Sequence, residues 1–139
     1  MSATPFHFAF YVKDLASTRQ FYCTTLGCAE GRSTENWVDF DFFGHQLSAH
    51  VNATPPQPMW TGQVDGVTVP MPHFGAIIPW DDFHALEQRV EAAGIPFIIT
   101  PRIRYEGKPG EQATMFVQDP SGNALEMKAF RHPEDVFAK

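Results

Sequence analysis

Cysteine is scarce in this sequence. Only Cys23 and Cys28 occur among its 139 residues, too few to frame a disulfide-built domain, and their spacing is neither CxxC nor CxxxC. They read as two reduced thiols, which suits a cytoplasmic setting. Long apolar runs are missing too. None approaches about 18 residues, the length that suggests a membrane span, and residues 1–5 lead into a strand-like segment without the basic start of a secretory leader. Positive charge is the third shortage: ten Lys and Arg stand against sixteen Asp and Glu, a formal net charge of −6. No basic cluster offsets it, so nucleic acid is not an expected partner. Hydrophobic residues, by contrast, make up 43% of the chain against 19% charged, enough to bury a core in one domain of this length.

The chain repeats itself. Residues 7–27 read HFAFYVKDLASTRQFYCTTLG and residues 73–94 read HFGAIIPWDDFHALEQRVEAAG. Each copy opens on His-Phe, continues as a short apolar strand, meets an aspartate, runs on as an amphipathic helix and stops at glycine. Asp14 is placed to cap the first helix, and Asp81 or Asp82 the second. The helix faces are Leu15, Thr18, Tyr22 and Leu26, then Phe83, Leu86, Val90 and Ala93. Gly27 and Gly94 suit left-handed stops. Strands follow each helix, over 29–32, 37–42 and 45–52 in the first copy and over 96–100, 112–118 and 123–130 in the second. Turns fall at Phe43-Gly44 and at Asp119-Pro-Ser-Gly. The pattern is β-α-β-β-β, twice, within a single domain. The modules span 6–54 and 71–131, with a linker over 55–70 and a tail over 132–139.

Alternation along the strands sorts side chains into faces. A two-residue turn at Phe43-Gly44 sets Phe42 opposite His45 and Asp39 opposite Ser48. Val38, Phe40, Phe42, Leu47 and Ala49 then share a face suited to the helices. Trp37, Asp39, Asp41, Gln46, Ser48 and His50 share the other. His7, Ala9 and Tyr11 fall together on their strand, as do His73 with Gly75 and Glu126 with Lys128. A half-polar face ordinarily just meets solvent, but two such faces bent toward each other would wall a shared cup. Glu126, set between Leu125 and Met127, needs a partner if it is buried. His7 and His73 occupy matched places in the repeat; His45, His84 and His132 do not, and read as ordinary structural or surface histidines.

With HFAFYVKDL at the start, RQFYCTTLGC at the first helix end, PHFGAIIPWDDF opening the second half and DPSGNALEMKAF closing it, the chain resembles the vicinal oxygen chelate superfamily. That group includes glyoxalase I, type I extradiol dioxygenases, methylmalonyl-CoA epimerase, and fosfomycin- and bleomycin-resistance proteins. The pattern is closest to small single-domain biphenyl-2,3-diol dioxygenase-related proteins. The resemblance covers roughly residues 6–130 and implies an α+β fold: two βαβββ modules forming an open, U-shaped mixed sheet around a central cavity, helices outside. It also implies one divalent metal ion held by His7, His73 and Glu126. Two histidines and a carboxylate favour Fe(II), with Mn(II), Zn(II) or Ni(II) as alternatives. Aligning the copies on Gly44 and Gly122 sets Ser48 over Glu126 and His50 over Lys128. Glyoxalase I-like members carry a carboxylate where Ser48 stands, so this departure points away from them.

His50 resembles the acid–base histidine of extradiol enzymes; a substrate contact and a fourth ligand are its other readings. Thr114 and Phe116 occupy the region where those enzymes carry a histidine and a tyrosine, and Tyr105, the only nearby phenol, is the second catalytic candidate. Tyr11, Trp37, Ser48 and Lys128 are substrate-contact candidates. The loop 101–111, with Arg102, Arg104, Tyr105 and Lys108, reads equally as a lip for an anionic or phenolic substrate and as a solvated hairpin loop. The leading expectation is extradiol-type cleavage of a small catechol or enediol. A glyoxalase-like isomerase, lyase or thiol transferase is the second reading. A metal-free module that sequesters a planar ligand, with Trp37, Phe43, Trp60 and Trp80 as stacking walls, is the third. A homodimer is expected, because open sheets leave edges to cover, and Met59 and Trp60 are candidates to cover them.

Overall fold

The computed structural model describes residues 4–139. Along them lie β1 (His7–Val12), α1 (Leu15–Arg19, continued by a π-helical segment over Gln20–Thr25), β2 (Ala29–Ser33), β3 (Trp37–Phe42) and β4 (His45–Val51). There follow β5 (Met59–Val64), β6 (Val67–Met71), β7 (Phe74–Ile77), α2 (Trp80–Ala92), β8 (Phe97–Arg104), β9 (Gln112–Gln118) and β10 (Ala124–Phe130), then a 3₁₀ turn over Pro133–Phe137. The first sheet has the order β1-β4-β3-β2 and the second β7-β10-β9-β8. In each, the opening strand runs parallel to the last strand of its own module, and the remaining pairs are antiparallel. Parallel neighbours need a long crossover, which the helices supply. The fold is therefore α+β with mixed sheets, and the β-α-β-β-β pattern appears twice as read from the sequence.

The backbone gathers into two units. One runs to Gln57 and takes in Asp119–Asn123; the other holds Pro58–Gln118 and Ala124–Lys139. In the first unit Val38, Phe40, Phe42, Leu47 and Ala49 are all buried, the face expected to meet a helix. Asp14 accepts a hydrogen bond from the Ser17 amide at 2.7 Å and caps α1 as expected. The helix then widens into π geometry. A wider turn brings neighbours 21 and 22, and 25 and 26, onto one side, so Phe21 and Thr25 are buried along with Tyr22 and Leu26. In the second unit α2 starts earlier than either aspartate allows. Its cap position is Pro79, in extended geometry and without a side-chain acceptor, which leaves Asp81 and Asp82 inside the first turn, where they suit the helix dipole. Phe83, Leu86 and Val90 are buried, but Ala93 is exposed, because the helix has already ended at Ala92. Gly27 and Gly94 take left-handed φ values of 83° and 71°, the conformation their helix stops require.

The DPSGN segment is a clasp. Asp119 accepts from the amides of Ser121 and Asn123 at 2.9 Å, and its other oxygen accepts from the Tyr22 hydroxyl at 2.9 Å. Ser121 Oγ accepts from the Lys13 amide, and the Asn123 side chain donates to the Tyr11 carbonyl. Burial holds the Tyr22 phenol well above its ordinary range, so it serves as donor here.

Two segments differ from expectation. The supposed linker folds as an antiparallel hairpin, β5 with β6, around Asp65-Gly66; Asp-Gly between valines is a hairpin signal in its own right. Strand β8 also extends through Arg104, so the loop before β9 is confined to 105–111.

Candidate metal centre

In the second unit, β10 presents Glu126 and Lys128 on one face, next to β7. Gly75 lies directly opposite Glu126, and a Cβ at Gly75 would fall 1.6 Å from the Glu126 carbonyl oxygen. Only glycine allows the two backbones to approach so closely. Just before β7, His73 Nδ1 donates to the Pro70 carbonyl at 2.8 Å. A carbonyl only accepts, so in the neutral ring the lone pair is on Nε2, and Nε2 faces Glu126 Oε1 at 3.4 Å. Thr114 donates to the other oxygen, Oε2, at 2.5 Å, and Lys128 Nζ stands 3.7 Å from Oε1. Both side chains border a cavity of about 240 Å³. Hydrogen bonding to Glu126, helped by the Pro70 carbonyl, holds His73 above the ordinary histidine range against the effect of burial. Burial pushes Glu126 up, but His73, Thr114 and Lys128 outweigh it and hold the carboxyl below the usual range.

In the first unit the corresponding face carries three rows. His7 lies opposite Gln46, Ala9 opposite Ser48 and Tyr11 opposite His50; across β4, Ser48 meets Asp39 and His50 meets Trp37. His7 Nδ1 is 2.7 Å from Gln46 Oε1, the Gln46 amide nitrogen is 3.4 Å from Asp39 Oδ2, and Ser48 Oγ donates to Asp39 Oδ1 at 2.5 Å. Asp39 and Ser48 are buried, so this part of the face is not simply washed by solvent. The rings of Trp37 and His50 lie 6.3 Å apart. His50, Tyr11, Ala9 and Phe10 line a cavity of about 310 Å³.

A family model described as the Glyoxalase/Bleomycin resistance protein/Dioxygenase superfamily matches residues 4–127. The chain belongs to this superfamily. Among solved structures it is 32% identical to a glyoxalase/bleomycin resistance protein/dioxygenase from Alicyclobacillus acidocaldarius, over 96% of each chain and with a TM-score of 0.74. The fosfomycin resistance protein FosX from Listeria monocytogenes is 18% identical, with 97% of this chain and 98% of that one covered and a TM-score of 0.71. A virulence protein from Salmonella typhimurium is 21% identical, covering 94% of this chain and 98% of that one, with a TM-score of 0.60. The last two share the fold alone. No curated protein matches the chain. None of these matches narrows the superfamily to the biphenyl-diol dioxygenase-related proteins.

Among the described residues, neither unit gathers three or more His, Cys, Asp or Glu side chains around one point. The second unit supplies the pair His73 and Glu126; His7 belongs to the first. Tyr11, Trp37 and His50 do come together, and Ser48 lies one row away with its hydroxyl committed to Asp39. Tyr105 takes a left-handed φ of 56° in the loop after β8, and its hydroxyl accepts from Arg104 Nη2 at 2.8 Å. Arg104 also donates to Asp65 Oδ2 at 2.7 Å, so it ties this loop to the tip of the β5–β6 hairpin. Asp39 and Thr114 join these networks although the sequence does not mark either as a ligand candidate. The register already set Asp39 against Ser48. Thr114 had no such signal, since it reaches Glu126 diagonally, its direct partner being Lys128. His45 accepts from the Phe6 amide, and His84 pairs with Glu87 on the exposed side of α2, which fits ordinary roles for both. No helix among the described residues is long and apolar enough to cross a membrane.

Proposed function

We propose that the protein is a divalent-metal-dependent enzyme acting on a small molecule that presents two neighbouring oxygens, with His7, His73 and Glu126 as the metal ligands. The observation that carries this reading is the His73–Glu126 pair. His73 Nε2 and Glu126 Oε1 stand 3.4 Å apart at one cavity, a gap that one ion spans at ligand distances of about 2.0–2.2 Å. The other edge of each side chain is already held, by the Pro70 carbonyl and by Thr114. Such outer partners orient metal ligands and set their protonation. When bound, the ion supplies Lewis acidity and a template for the substrate oxygens.

The finer reading is extradiol-type cleavage of a small catechol or enediol with Fe(II), which two histidines and one carboxylate favour. His50 takes and returns the proton, a role that an imidazole side chain suits near neutrality. Tyr11 and Trp37 flank the substrate, and Lys128 offers a positive charge beside Glu126. Anaerobic reconstitution with Fe(II), Mn(II), Zn(II) or Ni(II), followed by a panel of catechols and hemithioacetals, tests this. Oxygen uptake with a catechol supports the dioxygenase reading. Turnover of a hemithioacetal without oxygen replaces it with the isomerase reading. Absence of stoichiometric binding for all four ions would overturn the metal assignment.

A further inference from the structure

We propose that Gln46 is a positioning residue for the metal: it keeps the His7 proton on Nδ1 and so presents Nε2 as the coordinating nitrogen. The inference rests on the reading of His7 as a ligand. Its basis is the direction of each hydrogen bond in the first unit. The Asp39 carboxylate accepts from Ser48 on Oδ1, and its Oδ2 faces the Gln46 amide. A carboxylate receiving donors on both oxygens turns the amide NH₂ toward itself and leaves Oε1 pointing the other way. Oε1 is the atom found 2.7 Å from His7 Nδ1. An amide oxygen has no proton to give, so Nδ1 carries one. In the neutral ring the lone pair is then on Nε2.

An amide is the side chain suited to this place. Its two ends act oppositely, donating to Asp39 and accepting from His7. Strand geometry makes the contact local, because His7 and Gln46 are direct partners in the parallel β1–β4 ladder. The second module solves the same problem differently. The repeat sets Gln46 over Ala124, which has no polar group, and His73 donates to a backbone carbonyl instead. Both histidines are therefore held by an acceptor at Nδ1, but only the first is held by a side chain that can be replaced.

The test uses the full chain, with Gln46→Leu and Gln46→Glu as variants. Leucine keeps the size and removes both hydrogen bonds; glutamate keeps an acceptor for His7. Long-range ¹⁵N–¹H correlation spectra of the metal-free protein at neutral pH report the ring tautomer directly. The wild type and Gln46→Glu should show His7 protonated on Nδ1, whereas Gln46→Leu should shift toward Nε2–H, the form an exposed imidazole prefers. Zn(II) titration should show an affinity about 10- to 100-fold weaker in Gln46→Leu, the usual effect of losing such an outer partner, with thermal unfolding little changed. An unmoved tautomer in Gln46→Leu would overturn the proposal, as would unchanged zinc affinity in a variant whose tautomer has moved. A wild type that binds no zinc would instead overturn the ligand reading, and the tautomer spectra would still decide whether Gln46 sets the proton.

Discussion

Position for position, the two modules lay out one grid. His7, Ala9 and Tyr11 on β1 answer to His73, Gly75 and Ile77 at β7. Gln46, Ser48 and His50 on β4 answer to Ala124, Glu126 and Lys128 on β10. Asp39 and Trp37 on β3 answer to Phe116 and Thr114 on β9. The second module places its carboxylate on the strand beside the histidine, where the two side chains meet. The first module places its carboxylate one strand further away and fills the space between with an amide and a hydroxyl. A repeat thus keeps backbone geometry while its chemistry divides: one module pairs a histidine with a carboxylate, and the other forms a hydrogen-bonded network around a single histidine.

Removing the carboxylate of either module tests that division. Glu126→Ala should empty the metal site, because it removes a charged ligand and leaves His73 without its partner. Asp39→Ala should retain metal with roughly tenfold weaker affinity, as expected for loss of an outer partner. Metal content of the purified variants by mass spectrometry distinguishes them. If Asp39→Ala emptied the site while Glu126→Ala did not, the roles assigned to the two modules would be reversed.

The next effect sharpens the contrast between His50 and its counterpart Lys128. His50→Ala should lower kcat by roughly a hundredfold, a usual magnitude for general acid–base catalysis, and leave metal content unchanged. Loss of metal from this variant would make His50 a ligand; full activity would move the proton transfer elsewhere.

A smaller effect concerns the hairpin β5–β6, which has no counterpart in the first module. It exposes 66% of Met59 and 49% of Trp60, and large exposed apolar side chains of this kind mark contact surfaces. Sedimentation at micromolar concentration should give a homodimer, and Trp60→Ser should shift it toward monomer. A wild-type monomer under those conditions would count against it.

How much of this was legible in the residues depended on the kind of signal. Period-two alternation and the Phe43-Gly44 turn gave the register of β3 and β4, down to Asp39 opposite Ser48, because a one-residue slip would have exposed Val38, Phe40 and Phe42. The β-α-β-β-β repeat was equally plain. The start of α2 was not, since a proline cap leaves no side-chain signature while two aspartates offer a false one. The π segment of α1 escaped too, because Phe21 and Thr25 look solvent-facing at 3.6 residues per turn. Thr114 was hidden for a different reason: its bond to Glu126 runs diagonally between strands, and alternation identifies only a shared face.

The smallest effect uses chemistry that only the first module has. Both cysteines lie there, Cys23 in the π segment and Cys28 just beyond it, and both are free. Burial pushes the Cys28 thiol up to about 12, with Cys23 and Asp41 adding to the rise. Cys23 is raised as well, by partial burial and then by Glu30. The thiolate is the reactive form. Iodoacetamide at pH 8 should therefore modify Cys23 well before Cys28, and the Cys28 rate should climb about tenfold per pH unit toward its raised pKa. The same shift affects stability. A thiol whose pKa is higher folded than unfolded contributes fully below its ordinary value of 9.0 and loses that contribution as pH rises toward about 12. Urea midpoints should thus fall between pH 9 and 11, and Cys28→Ala should flatten that decline while lowering the midpoint at neutral pH through the lost packing. Equal labelling of both cysteines at pH 8 would mean that the first module opens locally, and the network around His7 would then be less rigid than the His73–Glu126 pair.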